Sequence, residues 1–180
     1  TLRPDHMSVY GYERDTTPEL ARFFADDRAA VYERAYSTEA ATAPAVVSLL
    51  SGLYPQEHRV RMLQQLLPGE TALLTDHLPD AYETAAFVSN AVLTDEAIGL
   101  AARFDHYDDF VDEEEPNRLV YERNAERTTD AVLDWLAKRE DPERPLFLWV
   151  HYIDPHGPYR PPEGWQREYS HEGAVPVDPM

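Results

Sequence analysis

The pattern of apolar and polar positions predicts helices that alternate with strands along the chain. Apolar residues recur at helical spacing over residues 119–139, which predicts the longest helix. Residues 145–154 form a continuous apolar run with aromatic and branched side chains, as expected of a central strand that is covered on both faces. Residues 82–89 have the composition of a second strand.

Other elements are predicted from their start signals and their apolar faces. Residues 17–19 are Thr, Pro and Glu, which supply a hydroxyl cap, a first-turn proline and an acid at the positive end of a helix. Residues 45–53 are apolar nearly all round, so we predict a buried helix there. Residues 71–78 and the segment after Thr94 are also predicted helices, and residues 30–36 have an extended pattern.

This alternation predicts an α/β fold, with a largely parallel or mixed central sheet sandwiched by helices. The 180 residues, of which 43% are hydrophobic, suffice for one domain with a core. The sequence shows no internal repeat. Residues 155–180 are rich in proline and polar side chains, which predicts a loop.

The charge of the chain restricts its partners. It has 34 acidic and 16 basic residues, a formal net charge of −18 at pH 7. Nucleic acid is therefore excluded, because too few basic side chains are available to neutralise a row of phosphates. Molar salt screens the self-repulsion of such a chain, which favours a halophilic source, with an ordinary acidic enzyme as the alternative. The acidic run at residues 108–115 is predicted to be a solvated loop, because blocks of like charge usually face water. A calcium loop is the alternative, although the run lacks the glycine turn and the alternating oxygen ligands of an EF-hand.

The sequence has neither cysteine nor a long apolar stretch, which excludes thiol chemistry and a membrane span in this region. There are no cysteines, so disulfides, thiolate zinc sites and cysteine nucleophiles are excluded. No stretch approaches the ~18 apolar residues that a membrane span needs, and no basic-then-apolar signal opens the sequence. We therefore expect no membrane span in this region and favour a cytoplasmic location.

The first candidate for chemistry is Thr42, two residues before Pro44 in the stretch STEAATAPAVVSLLSGLYPQEH. It stands where a predicted strand leads into a predicted buried helix. The free N–H groups and the positive dipole end of such a helix favour a bound oxyanion, and the hydroxyl of Thr42 would lie beside it. The alternative is that Thr42 is only a helix cap or a turn residue.

The second candidate is HYIDPHGPY, residues 151–159, which follows the apolar strand. His151, Asp154 and His156 bring two imidazoles and a carboxylate to the end of a strand, where ligands gather in open α/β sheets. The alternative is that the two histidines are structural, one satisfied by the backbone and one on a surface loop.

Five stretches of the sequence, taken in order, resemble landmarks of one protein family. They are TLRPDHMSVYGYERDTTPEL at the start, AYSTEAATAPAVVSLLSGLYPQEH in the middle, ETAAFVSNAVL and FDHYDDF after it, and PLFLWVHYIDPHGPY near the end. Together they resemble the sulfatase family of the alkaline phosphatase superfamily over nearly the whole chain. The resemblance implies a mixed sheet sandwiched by helices and a divalent metal ion held by acidic side chains. It also implies hydrolysis of sulfate or phosphate esters through a covalent intermediate.

The resemblance assigns the nucleophile. In the family motif the nucleophile stands two residues before a proline, which implies that Thr42 is both the nucleophile and a ligand of the metal ion. Threonine cannot form the formylglycine of classical sulfatases, so the resemblance implies a threonine alkoxide, as in related phosphotransferases. Calcium is the metal expected of a sulfatase, and manganese, magnesium and zinc are alternatives.

The resemblance also implies residues that bind the substrate. His156 matches the substrate-binding histidine of the family and is expected to contact the transferred group or to protonate the leaving group. Asn90 lies near the place of a lysine and a histidine that grip the sulfate, and it would donate a hydrogen bond without bringing charge. His151 is a further candidate for substrate binding. Val46 departs from the family, which usually has arginine or histidine at this position.

The resemblance implies that the chain is truncated at both ends. The first metal-binding aspartate of the family precedes the TLR that opens the sequence, and a later pair of ligands lies beyond Met180. Residues 1–180 would then form a partial catalytic domain, with the other metal ligands outside this chain. We expect the 180 residues alone to be inactive.

Three functions follow from the sequence as alternatives. The first is a metal-dependent hydrolase of sulfate or phosphate esters, acting on a small molecule or a glycan. The second is a phosphotransferase of the same superfamily with a threonine nucleophile. The third is a catalytically silent homologue that binds anions, which the aliphatic Val46 favours.

Overall fold

A computed structural model describes residues 2–26, 29–115 and 120–157. The chain divides into two compact units. The terminal unit comprises Thr1–Tyr36 and Asp154–Met180, and the sheet unit comprises Ser37–Ile153. Most of the loop predicted at residues 155–180 lies outside the described residues.

The terminal unit contains two short 3-10 turns, Pro4–His6 and Ser8–Tyr10, and the helix α1 (Pro18–Phe24). The helix predicted after Thr17 is thus confirmed, but the hydroxyl of Thr17 does not cap it. That oxygen accepts a hydrogen bond from the backbone N–H of Ser8 at 3.2 Å. The extended pattern predicted at residues 30–36 is wrong as a strand, because no strand lies beside it among the described residues and its apolar side chains are exposed.

The sheet unit contains the remaining helices and all strands of the described chain. In chain order they are α2 (Thr42–Ser51), α3 (Pro55–His58), β1 (Glu83–Val88), α4 (Asp95–Ile98), β2 (His106–Asp108), β3 (Glu113–Glu115), β4 (Val120–Glu122), α5 (Ala125–Ala137) and β5 (Leu146–His151). Short 3-10 turns lie at Leu74–His77, Ala91–Leu93 and Ala101–Arg103.

The central feature of this unit is a parallel sheet in the order β2, β1, β5. Strand β1 lies in the middle, and its five residues after Glu83 are buried. Strand β5 was predicted to be central, but among the described residues it pairs with β1 alone and is half-buried. An apolar run indicates a strand in the interior of a protein, and it does not fix the neighbours of that strand.

Helices cover both faces of the sheet. On β1, Ala85 and Phe87 pack against Val132 of α5, whereas Val88 packs with Ala43 and other apolar residues of α2. This follows from the alternation of side chains along a strand, which sends successive residues to opposite faces. The predicted α/β architecture, a sheet between helices, is confirmed.

Helix α2 begins at Thr42 and ends before Gly52, so the buried helix predicted at residues 45–53 is confirmed and starts three residues earlier. Gly52 adopts a left-handed conformation with φ of 71°. Glycine pays no steric cost in that conformation, which explains why the helix ends there.

Three other predictions are wrong in extent. The helix predicted over residues 119–139 is limited to α5, because Val120–Glu122 pairs with Glu113–Glu115 as an antiparallel hairpin. The acidic run at residues 108–115 is therefore partly a strand rather than only a loop. The helix predicted at residues 71–78 is reduced to the 3-10 turn Leu74–His77.

Candidate functional site

The carboxyl ends of β1 and β5 meet at one edge of the sheet, where Val88 pairs with His151. Ser89, the next residue of the chain, is 0% exposed. Its hydroxyl donates to the carbonyl of His151 at 2.8 Å and accepts from the backbone N–H of Ile153 at 2.7 Å. Ser89 thus ties the ends of the two strands together. Its role was not predicted from the sequence, although a small polar residue directly after a buried strand is a usable signal.

Asn90 follows Ser89 at this edge. Its Oδ1 accepts a hydrogen bond from the backbone N–H of Val92 at 3.0 Å and caps the turn Ala91–Leu93. Because an N–H group binds Oδ1, the orientation of the amide is fixed and Nδ2 points elsewhere. Nδ2 makes no hydrogen bond within the described residues, and the side chain is partly exposed. Asn90 therefore presents a free donor, as an anion-binding role requires.

His151 is half-buried at the end of β5, and its ring lies edge-on to Trp149 with centroids 6.0 Å apart. Burial lowers the pKa of His151, because a charged imidazolium is poorly solvated there. The ring is therefore neutral near pH 7. Within the described residues its nitrogens have no hydrogen-bond partner, so a neutral donor and a neutral acceptor are available.

Thr42 is the first residue of α2 and is partly exposed. The N-cap residue is Ala41, whose methyl group cannot accept a hydrogen bond, and Pro44 has no N–H. The first-turn N–H groups of Thr42 and Ala43 thus have no side-chain acceptor in the part of the chain that the structure describes. The hydroxyl of Thr42 likewise makes no hydrogen bond there. A helix start of this kind offers donors and a positive dipole end to an anion.

Three of the predicted site residues, Asn90, His151 and Thr42, belong to the sheet unit. Asn90 and His151 lie at the same edge of the sheet. Helix α2, which begins with Thr42, packs against the turn that Asn90 caps, through a shared apolar core that includes Ala43 and Leu93.

Val46 is 7% exposed and belongs to that core. A charged side chain at this position would be surrounded by apolar residues, unless α2 were rotated about its axis. The aliphatic residue is therefore explained by packing, and it brings no charge to Thr42.

His156 lies in the terminal unit, where it is exposed and its Nδ1 is 2.8 Å from the carbonyl oxygen of Gly157. Because a carbonyl only accepts, Nδ1 carries the proton, and Nε2 is the acceptor of the neutral ring. Asp154 is exposed in the same unit.

Arg123 is a second residue that the sequence analysis missed. Its side chain is 4% exposed, and its guanidinium donates to Asp108 at 2.6 Å, to the carbonyl of Val88 at 3.3 Å and to the hydroxyl of Thr128 at 3.2 Å. Its backbone N–H also donates to the carbonyl of Ser89 at 3.0 Å. Arg123 thus holds the ends of β1 and β2 next to Asn90. No local pattern marks an arginine for such a role.

The described residues do not by themselves form a metal site. Among residues 2–26, 29–115 and 120–157, no group of three or more histidine or acidic side chains is arranged to hold an ion. No such group accompanies Thr42 in these ranges, and its role as a metal ligand stays a prediction. In the same part of the chain, no helix is both long and apolar enough to cross a membrane.

A parallel sheet between helices, with polar side chains at its carboxyl edge, defines an α/β protein of the class that binds ligands at that edge. The family model of the sulfatases matches residues 1–175. The chain therefore belongs to the sulfatase family, and the resemblance seen in the sequence is confirmed.

One solved structure with the same fold is the phosphonate monoester hydrolase of Agrobacterium radiobacter, with a TM-score of 0.69 and 18% identity. The match covers 91% of this chain and 41% of that enzyme, so this chain spans less than half its length. No curated protein sequence matches this chain.

Proposed function

We propose that this chain is part of a hydrolase of sulfate or phosphate esters in which Thr42 is the nucleophile. The observation that carries the proposal is the start of α2, where a hydroxyl without a hydrogen-bond partner in the described residues stands beside first-turn N–H groups that lack a side-chain cap. The family membership and the fold of the phosphonate monoester hydrolase support this class of reaction.

The described residues suggest how the transferred group is bound. The first-turn N–H groups of α2 bind its equatorial oxygens, as helix starts bind anions elsewhere. Asn90 donates through Nδ2, and the neutral ring of His151 donates or accepts without adding charge. Together these contacts stabilise negative charge that develops on the transferred group in the transition state.

The covalent step follows from the nucleophile. The Oγ of Thr42 forms a bond to sulfur or phosphorus and gives up its proton to water, while the bond to the ester oxygen breaks. The proposed donor of the proton that the departing oxygen takes up is the imidazolium form of His156, which carries its second proton on Nε2 and is left neutral by the transfer. Water then hydrolyses the threonine ester and restores the hydroxyl. Transfer to another hydroxyl in place of water would give the phosphotransferase.

The experiment uses the protein expressed from its complete natural reading frame. In molar salt, with calcium, manganese, magnesium or zinc added separately, turnover of an aryl sulfate, a phosphate monoester, a phosphodiester and a phosphonate monoester is measured. The variant is Thr42→Ala, and the matched control is Thr38→Ala, an exposed threonine four residues upstream.

We expect turnover that Thr42→Ala reduces by at least about a thousandfold, because a covalent route is lost, and that Thr38→Ala leaves unchanged. The preferred ester then identifies the substrate class. Equal turnover in wild type and Thr42→Ala would contradict the role of Thr42. Binding of sulfate or phosphate without turnover of any ester would favour the silent homologue.

A further inference from the structure

His58, at the end of α3, is a buried titratable group that the proposed reaction does not use. It is 0% exposed. The buried ionisable side chain of Arg123 is, by contrast, paired with Asp108. Within the part of the chain that the structure describes, His58 has no carboxylate partner of this kind. Its neighbour Glu57 directs its carboxylate to the backbone N–H of Tyr54 at 2.9 Å.

The hydrogen bonds of His58 define which nitrogen carries the proton. The backbone N–H of Val60 donates to Nδ1 at 3.1 Å, so Nδ1 is an acceptor. The proton of the neutral ring is then on Nε2, which lies 3.0 Å from the hydroxyl oxygen of Ser48 and donates to it. The ring thus joins the segment after α3 to the buried face of α2.

The environment of the ring favours the neutral form. Burial lowers the pKa of His58, and this effect outweighs the carbonyls of His58 and Pro44 and the charge of Glu57, which act in the opposite direction. Helix α2 carries no titratable side chain, and the charged residues on and beside α3 are Glu57 and the exposed Arg59. A second proton would lie on Nδ1 and face the N–H of Val60, so that hydrogen bond would be lost.

The ring of His58 contacts α2, the helix that begins with Thr42. Ser48 is six residues after Thr42 on the same helix, and the carbonyl of Pro44, in the first turn, is close enough to affect the ring. The first turn has no side-chain cap of its own. The hydrogen bond from the buried ring to Ser48 therefore restrains the position of α2, and the start of the helix with it.

We infer that the neutral ring of His58 is a positioning residue that fixes the start of α2, and through it the hydroxyl of Thr42. The part of this inference that concerns catalysis rests on the proposed function, whereas the restraint on α2 does not. Loss of the contact leaves the helix formed but lets its first turns move, and a displacement of about 1 Å at a nucleophile costs up to about a hundredfold in rate.

The test uses two variants and a control in the protein from the complete reading frame. Ser48→Ala removes the acceptor and keeps a good helix former, so it is expected to fold. His58→Gln keeps an amide that can donate to Ser48 and does not titrate. His77→Gln makes the same change at an exposed histidine.

The first measurement is amide hydrogen exchange along α2, with α5 as the reference helix, between about pH 7 and pH 5. We expect Ser48→Ala to lower the protection of the first turns of α2 about fivefold at pH 7, as loss of one hydrogen bond does, and to leave α5 unchanged. In wild type and His77→Gln, α2 loses protection relative to α5 as the pH falls. In His58→Gln this loss is absent.

The second measurement is turnover of the preferred ester. We expect Ser48→Ala to lower kcat about tenfold with little change in KM, because a misplaced nucleophile slows the chemical step more than binding. Should no ester be turned over, the proposed function fails, and the exchange measurement still decides the restraint on α2. Identical protection of α2 in wild type, Ser48→Ala and His58→Gln at every pH would overturn the inference.

Discussion

At the scale of single residues, the shape of the candidate site is held by side chains that anchor the ends of the strands, in addition to the side chains that face a ligand. Arg123 contacts the ends of two strands, and Ser89 joins the ends of two strands. Both lie beside Asn90 in the structure. Their hydrogen bonds explain why the edge of the sheet can keep a polar side chain such as Asn90 in one orientation.

We predict that Arg123→Met lowers the free energy of unfolding by about 3 kcal/mol, because it leaves the carboxylate of Asp108 without its cation and the carbonyl of Val88 without a donor. Urea denaturation at pH 7 measures the change. The control is Arg22→Met. The side chain of Arg22 is 74% exposed and pairs with Glu19, so its loss should lower the free energy of unfolding by under about 1 kcal/mol. Equal losses in the two variants would contradict a special role for Arg123.

A second prediction concerns acid. His58 and His151 both have pKa values lowered by burial, so between their folded and unfolded pKa values the unfolded chain binds more protons. Their contribution to stability is therefore complete above the unfolded value of 6.5 and is lost as the pH falls below it. We expect the free energy of unfolding to decrease from about pH 7 to pH 5, a range above that in which carboxylates titrate. The double variant His58→Gln and His151→Gln should flatten this dependence, and an unchanged slope would count against it.

At the scale of elements, the sequence predicted the parts whose signals are local. Helix α2 and strand β1 have uninterrupted apolar faces, and each was found within a few residues of its predicted ends. The hairpin of β3 and β4 was missed, because the glutamates of β3 disfavour a strand and Val120 continues the helical spacing of α5. Arg127 pairs with Asp112 at 2.6 Å and with Glu113 at 2.9 Å, which offsets part of the repulsion in this region. Such a pairing depends on contacts between distant residues.

Helix α5 begins directly after the hairpin and is capped by a side chain. Oδ1 of Asn124 accepts from the backbone N–H of Arg127 at 3.0 Å and caps the helix. We predict that Asn124→Ala lowers the free energy of unfolding by about 1 kcal/mol, whereas Asn124→Ser, which can still cap, lowers it by only a few tenths. Thermal unfolding followed by circular dichroism distinguishes the two. A loss of the same size for alanine and serine would show that the cap is not the cause.

The candidate site shows the same division between local and distant signals. His151 at the end of β5 stands where its local pattern placed it, and Thr42 begins α2, although no strand precedes that helix in the described residues. Ser89 and Arg123 act through contacts with residues far away in the chain, whereas the partners of His58 are Ser48 and Val60, which are near it in sequence. The aliphatic Val46 was a departure from the family pattern in the sequence, and its burial in the core of α2 gives the reason.

At the scale of the whole molecule, the charge is the dominant property. A formal net charge of −18 on 180 residues repels itself in the compact state. We predict that the melting temperature rises as potassium chloride is raised to molar concentration, because salt screens this repulsion. An uncharged osmolyte at equal osmolarity is the control. A melting temperature that salt leaves unchanged would contradict the halophilic interpretation.

The central claim is that Thr42 forms the covalent intermediate, and the most direct measurement is to trap it. The protein from the complete reading frame is mixed with its preferred ester and quenched in acid within the first turnovers, and the peptide that contains Thr42 is analysed by mass spectrometry. The account predicts a sulfate or phosphate group on Thr42, absent in Thr42→Ala and present in Thr38→Ala. Two results would contradict the claim. One is turnover with the sulfate or phosphate group on a residue other than Thr42, and the other is turnover by both wild type and Thr42→Ala without any covalent adduct.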